Sequence, residues 1–119
     1  MAAEQGFELL GLTDHFSSML FDEQTLKNFQ FFLNLTIVPE IWQGMRILCG
    51  CEVDIVDLEG HLFAWDIAAD TAINGDKFGH AHSLGELVLS RCDYAVASIH
   101  GKDWACGATP AQVTQMYVN

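Results

Sequence analysis

Apolar residues fall in short runs separated by turn-forming residues, and the runs alternate between strand-like and helix-like spacing. Residues 1–6 read as the end of a helix closed by Gly6. Residues 7–13, Phe-Glu-Leu-Leu-Gly-Leu-Thr, form an apolar run of strand type that stops at Asp14-His15. Residues 22–44 read as helical, with Asp22 as N-cap, Gly44 as stop and an apolar face of Phe29, Phe32, Leu33 and Val38. Pro39 kinks or splits this helix. Residues 46–56 read as a second strand. Asp57-Leu58-Glu59-Gly60 then makes a turn, and residues 61–65 return as a hairpin partner. Residues 66–82 are loop-rich, with a turn signal at Asn74-Gly75. Residues 83–91 read as a short helix with Ser83 as cap and Glu86 at the capping-box position. Residues 93–99 form a third strand that runs into His100-Gly101. Thr109 caps a last helix, with Pro110 at its first position, that continues to Asn119. The alternation is that of an α/β domain without internal repeat, linker or low-complexity tract.

Composition narrows the partners. The 119 residues fit one small domain, and half of them are apolar, which suffices for a core. Five Lys and Arg stand against sixteen Asp and Glu, a formal net charge of -11. Nucleic-acid backbones and anionic membrane surfaces both require clustered basic residues, so neither is an expected partner. No apolar run approaches the ~18 residues of a membrane span, and the first residues lack the basic start and apolar stretch of a signal peptide. Cys49, Cys51, Cys92 and Cys106 form no C-x-x-C pattern and are sparse for a secreted domain. They read as reduced thiols, Cys49 and Cys51 as small buried hydrophobes, in a cytoplasmic protein. The sequon at Asn34-Leu35-Thr36 carries no meaning there.

The candidate chemistry lies at strand ends. The first strand ends in Thr13-Asp14-His15, the second carries Glu52 between Cys51 and Val53, and the third ends in Ser98-Ile99-His100. Carboxyl ends of parallel strands gather on one face of an α/β fold. Two imidazoles and a carboxylate there make a mixed nitrogen and oxygen set suited to Zn, Mn or Fe. Taken singly, His15 or His100 is an ordinary polar strand terminus. Glu52 is less ordinary, because a carboxylate among apolar residues needs a cation or hydrogen bonds to offset its desolvation. Their joint occurrence on successive strands favours a site.

The same residues carry a resemblance. Residues 2–15, ending in Leu12-Thr13-Asp14-His15, resemble the second motif of the PHP (polymerase and histidinol phosphatase) domain family. Cys49-Gly50-Cys51-Glu52-Val53-Asp54 is similar to that family's G-x-E motif, and Cys92 to His100 is similar to its D-x-x-x-x-S-x-H motif. Residues 107–112 resemble the single-domain phosphatase branch rather than the polymerase-linked one. The resemblance implies a distorted (β/α)7 barrel with up to three metal ions at its carboxyl-end rim, hydrolysing phosphate esters with metal-activated hydroxide. It implies that Glu52 bridges two ions, that His100 binds one of them and His15 the third, and that Asp14 orients nearby groups. The small phosphorylated substrate itself is not identified by any residue.

The resemblance also defines what the chain lacks. The family opens with a strand bearing H-x-H and carries later ligands that would lie beyond Asn119. Residues 1–119 are therefore expected to be a partial domain, about the first half of the barrel without its opening strand, and weak or inactive alone. Uncovered sheet edges would favour a homo-oligomer. The alternative is a non-catalytic scaffold or interaction fragment. His80-Ala81-His82 is itself an H-x-H but reads as loop, and His61 reads as an ordinary polar residue. Lys102, two residues past His100, is the candidate for phosphate binding. Trp42, Trp65, Phe29 and Phe32 read as core or edge apolar residues.

Overall fold

The computed structural model describes residues 1–69, 83–100 and 104–119. The Asn74-Gly75 turn, the His80-Ala81-His82 motif and Lys102 lie outside the described residues. Strands β1 (Leu9–Phe16), β2 (Ile41–Trp42), β3 (Met45–Asp54) and β4 (Tyr94–Ser98) form one sheet. β3 is its axis. β1 runs parallel along one side, with His15 opposite Glu52 and Phe16 opposite Val53. The other side is shared end to end. β2 pairs antiparallel with Met45 and Arg46, and β4 pairs parallel with Gly50 through Asp54. The carboxyl ends of β1, β3 and β4 therefore reach the same rim.

Side chains alternate between the two faces of each strand. On one face Phe16, Cys51 and Val53 are fully buried. They pack with Leu84, Leu87 and Val88 of helix α1 (Leu84–Leu89) and with Phe29, Phe32 and Phe63. The Phe16 ring meets Phe29, Phe32 and Phe63 edge-on, at centroid distances of 5.1, 5.5 and 4.9 Å. Burying such a ring stabilises by roughly 1.5–3 kcal/mol. The opposite face carries Thr13, His15, Gly50, Glu52, Asp54, Tyr94 and Ser98, and holds the polar chemistry.

Both described α-helices begin where capping chemistry places them. Ser83 Oγ accepts from the Glu86 amide at 3.1 Å to start α1. Thr109 and Gln112 form a reciprocal capping box, with Pro110 in the first turn of helix α2 (Pro110–Val118). Each such cap contributes about 1 kcal/mol. Met116 of α2 is buried, and the Asn119 amide donates to the Glu59 carbonyl at 3.2 Å. Gly60 makes that contact possible: its φ is +87°, and a Cβ there would stand 2.7 Å from the Met116 carbonyl oxygen.

Several boundaries differ from the sequence reading. β1 does not stop at Asp14-His15 but carries both to its end at Phe16. Residues 22–44 do not form a long helix. They hold a 3-10 helix over Gln30–Ile37, then β2, then a tight turn in which Gln43 and Gly44 both have positive φ. Aromatic and β-branched residues crowd this segment and lower α-helix propensity. Gly44 serves the β2–β3 hairpin instead of ending a helix. The amino-terminal turn is a short 3-10 helix, Ala3–Gln5, closed as expected by Gly6 at φ +82°. The return after the Asp57–Gly60 turn is a brief bridge, Ile55 to Leu62, backed by Phe63 donating to the Asp54 carbonyl at 2.8 Å. The described residues make a mixed α/β unit with a four-stranded sheet and few helices.

Candidate metal centre

His15, Glu52 and His100 converge at the rim although they come from three separate stretches of chain, and their donor atoms lie within 4.8 Å of one another. Parallel pairing in register sets His15 beside Glu52. His100 follows β4 and turns back over the end of β3. Its Nε2 lies 3.1 Å from Glu52 Oε1, and His15 Nδ1 lies 3.8 Å from Glu52 Oε2. Glu52 thus presents one carboxylate oxygen to each imidazole. The two rings meet edge-on at 5.1 Å. Donors sharing one ion bonded at ~2.0–2.2 Å stand roughly 2.8–3.6 Å apart, from octahedral to tetrahedral angles. The His100–Glu52 pair meets that spacing, and the His15–Glu52 pair lies slightly outside it. This donor set, two imidazoles and a carboxylate, is compatible with a divalent cation.

Behind the three donors lies a layer that the sequence reading missed. Asp54 is buried, 6% exposed. Its Oδ1 stands 2.6 Å from His100 Nδ1, and its Oδ2 accepts from the Ser17 hydroxyl at 2.6 Å. Ser17 Oγ also accepts from the Met19 amide at 3.2 Å. Ser98 Oγ adds a second contact to His100 Nδ1 at 3.2 Å. The hydrogen bond to Asp54 holds the His100 imidazole above its ordinary pKa against the opposing effect of burial, and the charges of Asp54 and Glu52 act in the same sense. Strand alternation could have found this layer. Ser17, Asp54 and Ser98 each stand two residues from a donor, on that donor's face.

Asp14 is not among the gathered residues. It pairs with Cys51 across β1 and β3, so its side chain is on the face opposite His15. Its charge is felt there by Cys49, whose thiol is pushed up by burial first and by Asp93, Cys92 and Asp14 after it. All four cysteines are free thiols, with Cys49 and Cys51 buried, as read from their apolar setting. Phe29 and Phe32 are core residues, whereas Trp42 and Trp65 are exposed.

Towards the amino end of the polar face, the Tyr94 ring lies flat across β3 and β1. Its hydroxyl contacts that of Thr13. A Cβ on Gly50 would stand 2.6 Å from the ring, and one on Gly11 would stand 2.5 Å from the hydroxyl oxygen. The ring thus leaves no room for a Cβ on Gly50, and one on Gly11 would displace the hydroxyl.

A second group, Asp57, Glu59 and His61, also brings donor atoms together. There His61 Nδ1 is already bonded to Asp57 at 2.7 Å, and its ring stacks on Trp65 at 3.9 Å. Local hydrogen bonding and stacking account for that arrangement.

No protein-family model matches the chain. Among the described residues no helix is long and apolar enough to cross a membrane. The chain is similar to bacterial proteins named "Probable phosphatase". It is 30% identical to one from Thermoanaerobacter sp. (strain X514) over 99 residues, which cover 83% of this chain and 31% of that protein. Similarity to one from Acetivibrio thermocellus is 29% over 99 residues, again 83% of the chain and 31% of the relative. Similarity to one from Shewanella amazonensis is 36% over 62 residues, covering 52% of the chain and 23% of that protein. The chain thus spans about a third of the length of the curated relatives it matches most fully.

Proposed function

We propose that the chain carries part of the metal site of a phosphatase of PHP type, acting on a small phosphate monoester. The observation that carries this reading is Glu52, whose two oxygens face His100 and His15 separately. Such an arrangement would suit a carboxylate shared between ions, and it occurs in a chain similar to proteins named "Probable phosphatase". In this reading His15, Glu52 and His100 are the ligands, and the sheet is an arc of the barrel. Zn, Mn and Fe all suit the donor set.

Bound divalent ions would neutralise phosphate oxygens and make water a competent nucleophile near neutral pH. The chain's residues fix where this happens. Glu52 is held by β3, His15 by its register against it, and His100 by hydrogen bonds from behind. Tyr94 lies on the same face, over Gly50 and against Thr13. Overall hydrolysis adds water across the phosphorus–oxygen ester bond, releasing an alcohol and inorganic phosphate. Lys102 remains the proposed phosphate contact, two residues past His100 in sequence. Three ligands are few for a multinuclear centre, so the 119-residue chain alone is expected to turn over weakly or not at all.

The acidic balance of the chain supports a partner that is neither nucleic acid nor an anionic membrane, and its sparse cysteines support a cytoplasmic setting. β1 has β3 on one side, no partner strand on the other among the described residues, and exposed Leu9 and Leu12. That edge supports self-association, which light scattering across a concentration series tests; a clean monomer at high concentration contradicts it.

Inorganic phosphate, the reaction product, tests the phosphatase reading. Calorimetric titration should show phosphate binding to the zinc- or manganese-loaded protein and none to the metal-free protein. Binding that ignores the metal, or no binding by the loaded protein, would leave the scaffold alternative in its place.

A further inference from the structure

Three polar residues stand behind the donors, each two positions from one of them: Ser17 from His15, Asp54 from Glu52 and Ser98 from His100. They share the donors' face of the sheet, and two of them converge on one ring nitrogen. An imidazole ligates through one nitrogen only, and a proton on the other nitrogen leaves that one free to do so. His100 points Nε2 at Glu52 and Nδ1 at Asp54. The Asp54 contact is the shorter of the two on Nδ1, 2.6 Å against 3.2 Å from Ser98.

Asp54 is itself held on every side. Its Oδ2 takes the Ser17 hydroxyl, and Ser17 Oγ is in turn fixed by the Met19 amide. Its carbonyl accepts from Phe63, and the next amide, of Ile55, donates to the Ser98 carbonyl at 2.8 Å. A carboxylate this buried is costly unless its oxygens are satisfied. Here both are, one by an imidazole and one by a hydroxyl.

We infer that Asp54 is a positioning residue: it keeps the His100 proton on Nδ1 and the ring plane fixed, so that Nε2 is offered to the ion beside Glu52, with Ser17 holding Asp54 in place. The inference rests on the metal-site reading above. Outer partners of ligating histidines typically change metal affinity by 10–100-fold. Ser17, Asp54 and Ser98 touch no substrate in this account and act only through the imidazole.

Two readouts test it on the full 119-residue chain. Zinc affinity is measured by competition with a chromophoric chelator. The His100 tautomer is read from ring 15N shifts, assigned against His100→Gln, at a pH where the ring is neutral. Asp54→Ala should weaken zinc binding by about 10–100-fold and shift the proton from Nδ1 towards Nε2. Ser17→Ala should weaken binding in the same direction by a smaller factor, and it reports if Asp54→Ala fails to fold. A folded Asp54→Ala protein with zinc affinity within twofold of wild type, or with the wild-type tautomer, would overturn the inference. If the wild-type chain binds no zinc, the metal reading falls, while the tautomer measurement still decides the role of Asp54.

Discussion

Glu52 Oε1 and His100 Nε2 stand 3.1 Å apart at the rim where β3 and β4 end, brought there by parallel pairing in which Glu52 faces Val96 and Asp54 faces Ser98. The contact depends on that register. A one-residue slip of β4 would turn the side chains that line this face to the other.

The opposite face should be indifferent to metal. Asp14 neighbours His15 in sequence but shares its face with Phe16 and Cys51, not with Glu52. Asp14→Asn is expected to leave zinc affinity within about twofold in a chelator competition, whereas His15→Gln should lower it by at least the ~10-fold typical of losing even an outer partner. A large loss in Asp14→Asn would mean that it acts through the sheet.

The Tyr94 ring and Gly50 compete for one volume. A Cβ on Gly50 would meet three ring atoms at 2.6–2.7 Å. Gly50→Ala should therefore cost about 1–3 kcal/mol in urea unfolding. Combined with Tyr94→Ala it should cost clearly less than the sum of the two single changes, because the clash is then gone. Additive losses would place the ring elsewhere.

Phe16 ties the core to the site, since its neighbours His15 and Ser17 point to the polar face. Phe16→Ala should lower stability by about 3–5 kcal/mol, measured by denaturant titration. A loss under 1 kcal/mol would contradict the fully buried, four-ring arrangement with Phe29, Phe32 and Phe63.

Acid should remove the charge that holds the Asp57 turn. Burial of Asp57 works to raise its pKa, but the His61 amide, ring and charge together hold it below the usual carboxylate value. A depressed folded-state pKa contributes stability above the unfolded value, near ~3.9, and that contribution is lost as pH falls through the folded value. Asp57→Asn should therefore be less stable than wild type at neutral pH, with the gap closing below about pH 4. A gap that persists unchanged into strong acid would show that the carboxylate charge is not responsible.

The three donors were legible in the sequence because polar, chemistry-bearing residues break into otherwise apolar strands. Asp54 follows from the same logic: Glu52 and Asp54, two apart in a strand, must share a face. Polarity does not end β1. Asp14 and His15 stay in the strand, since one face meets the core at Phe16 and the other serves the site. The segment before β2 was misread for a different reason. Its apolar residues have helical spacing, but the 3-10 turns drop only Phe29 and Phe32 into the core and leave Phe31 and Ile37 exposed. Caps at Ser83 and Thr109 held, because their geometry is set within four residues and needs no tertiary context.

Zinc titration of the wild-type chain, Glu52→Gln and His61→Gln tests the account's centre most directly. The wild-type and His61→Gln proteins should bind alike, and Glu52→Gln should lose at least ~100-fold in affinity or all detectable binding. Equal binding by Glu52→Gln and wild type, or loss confined to His61→Gln, would contradict a site built on Glu52.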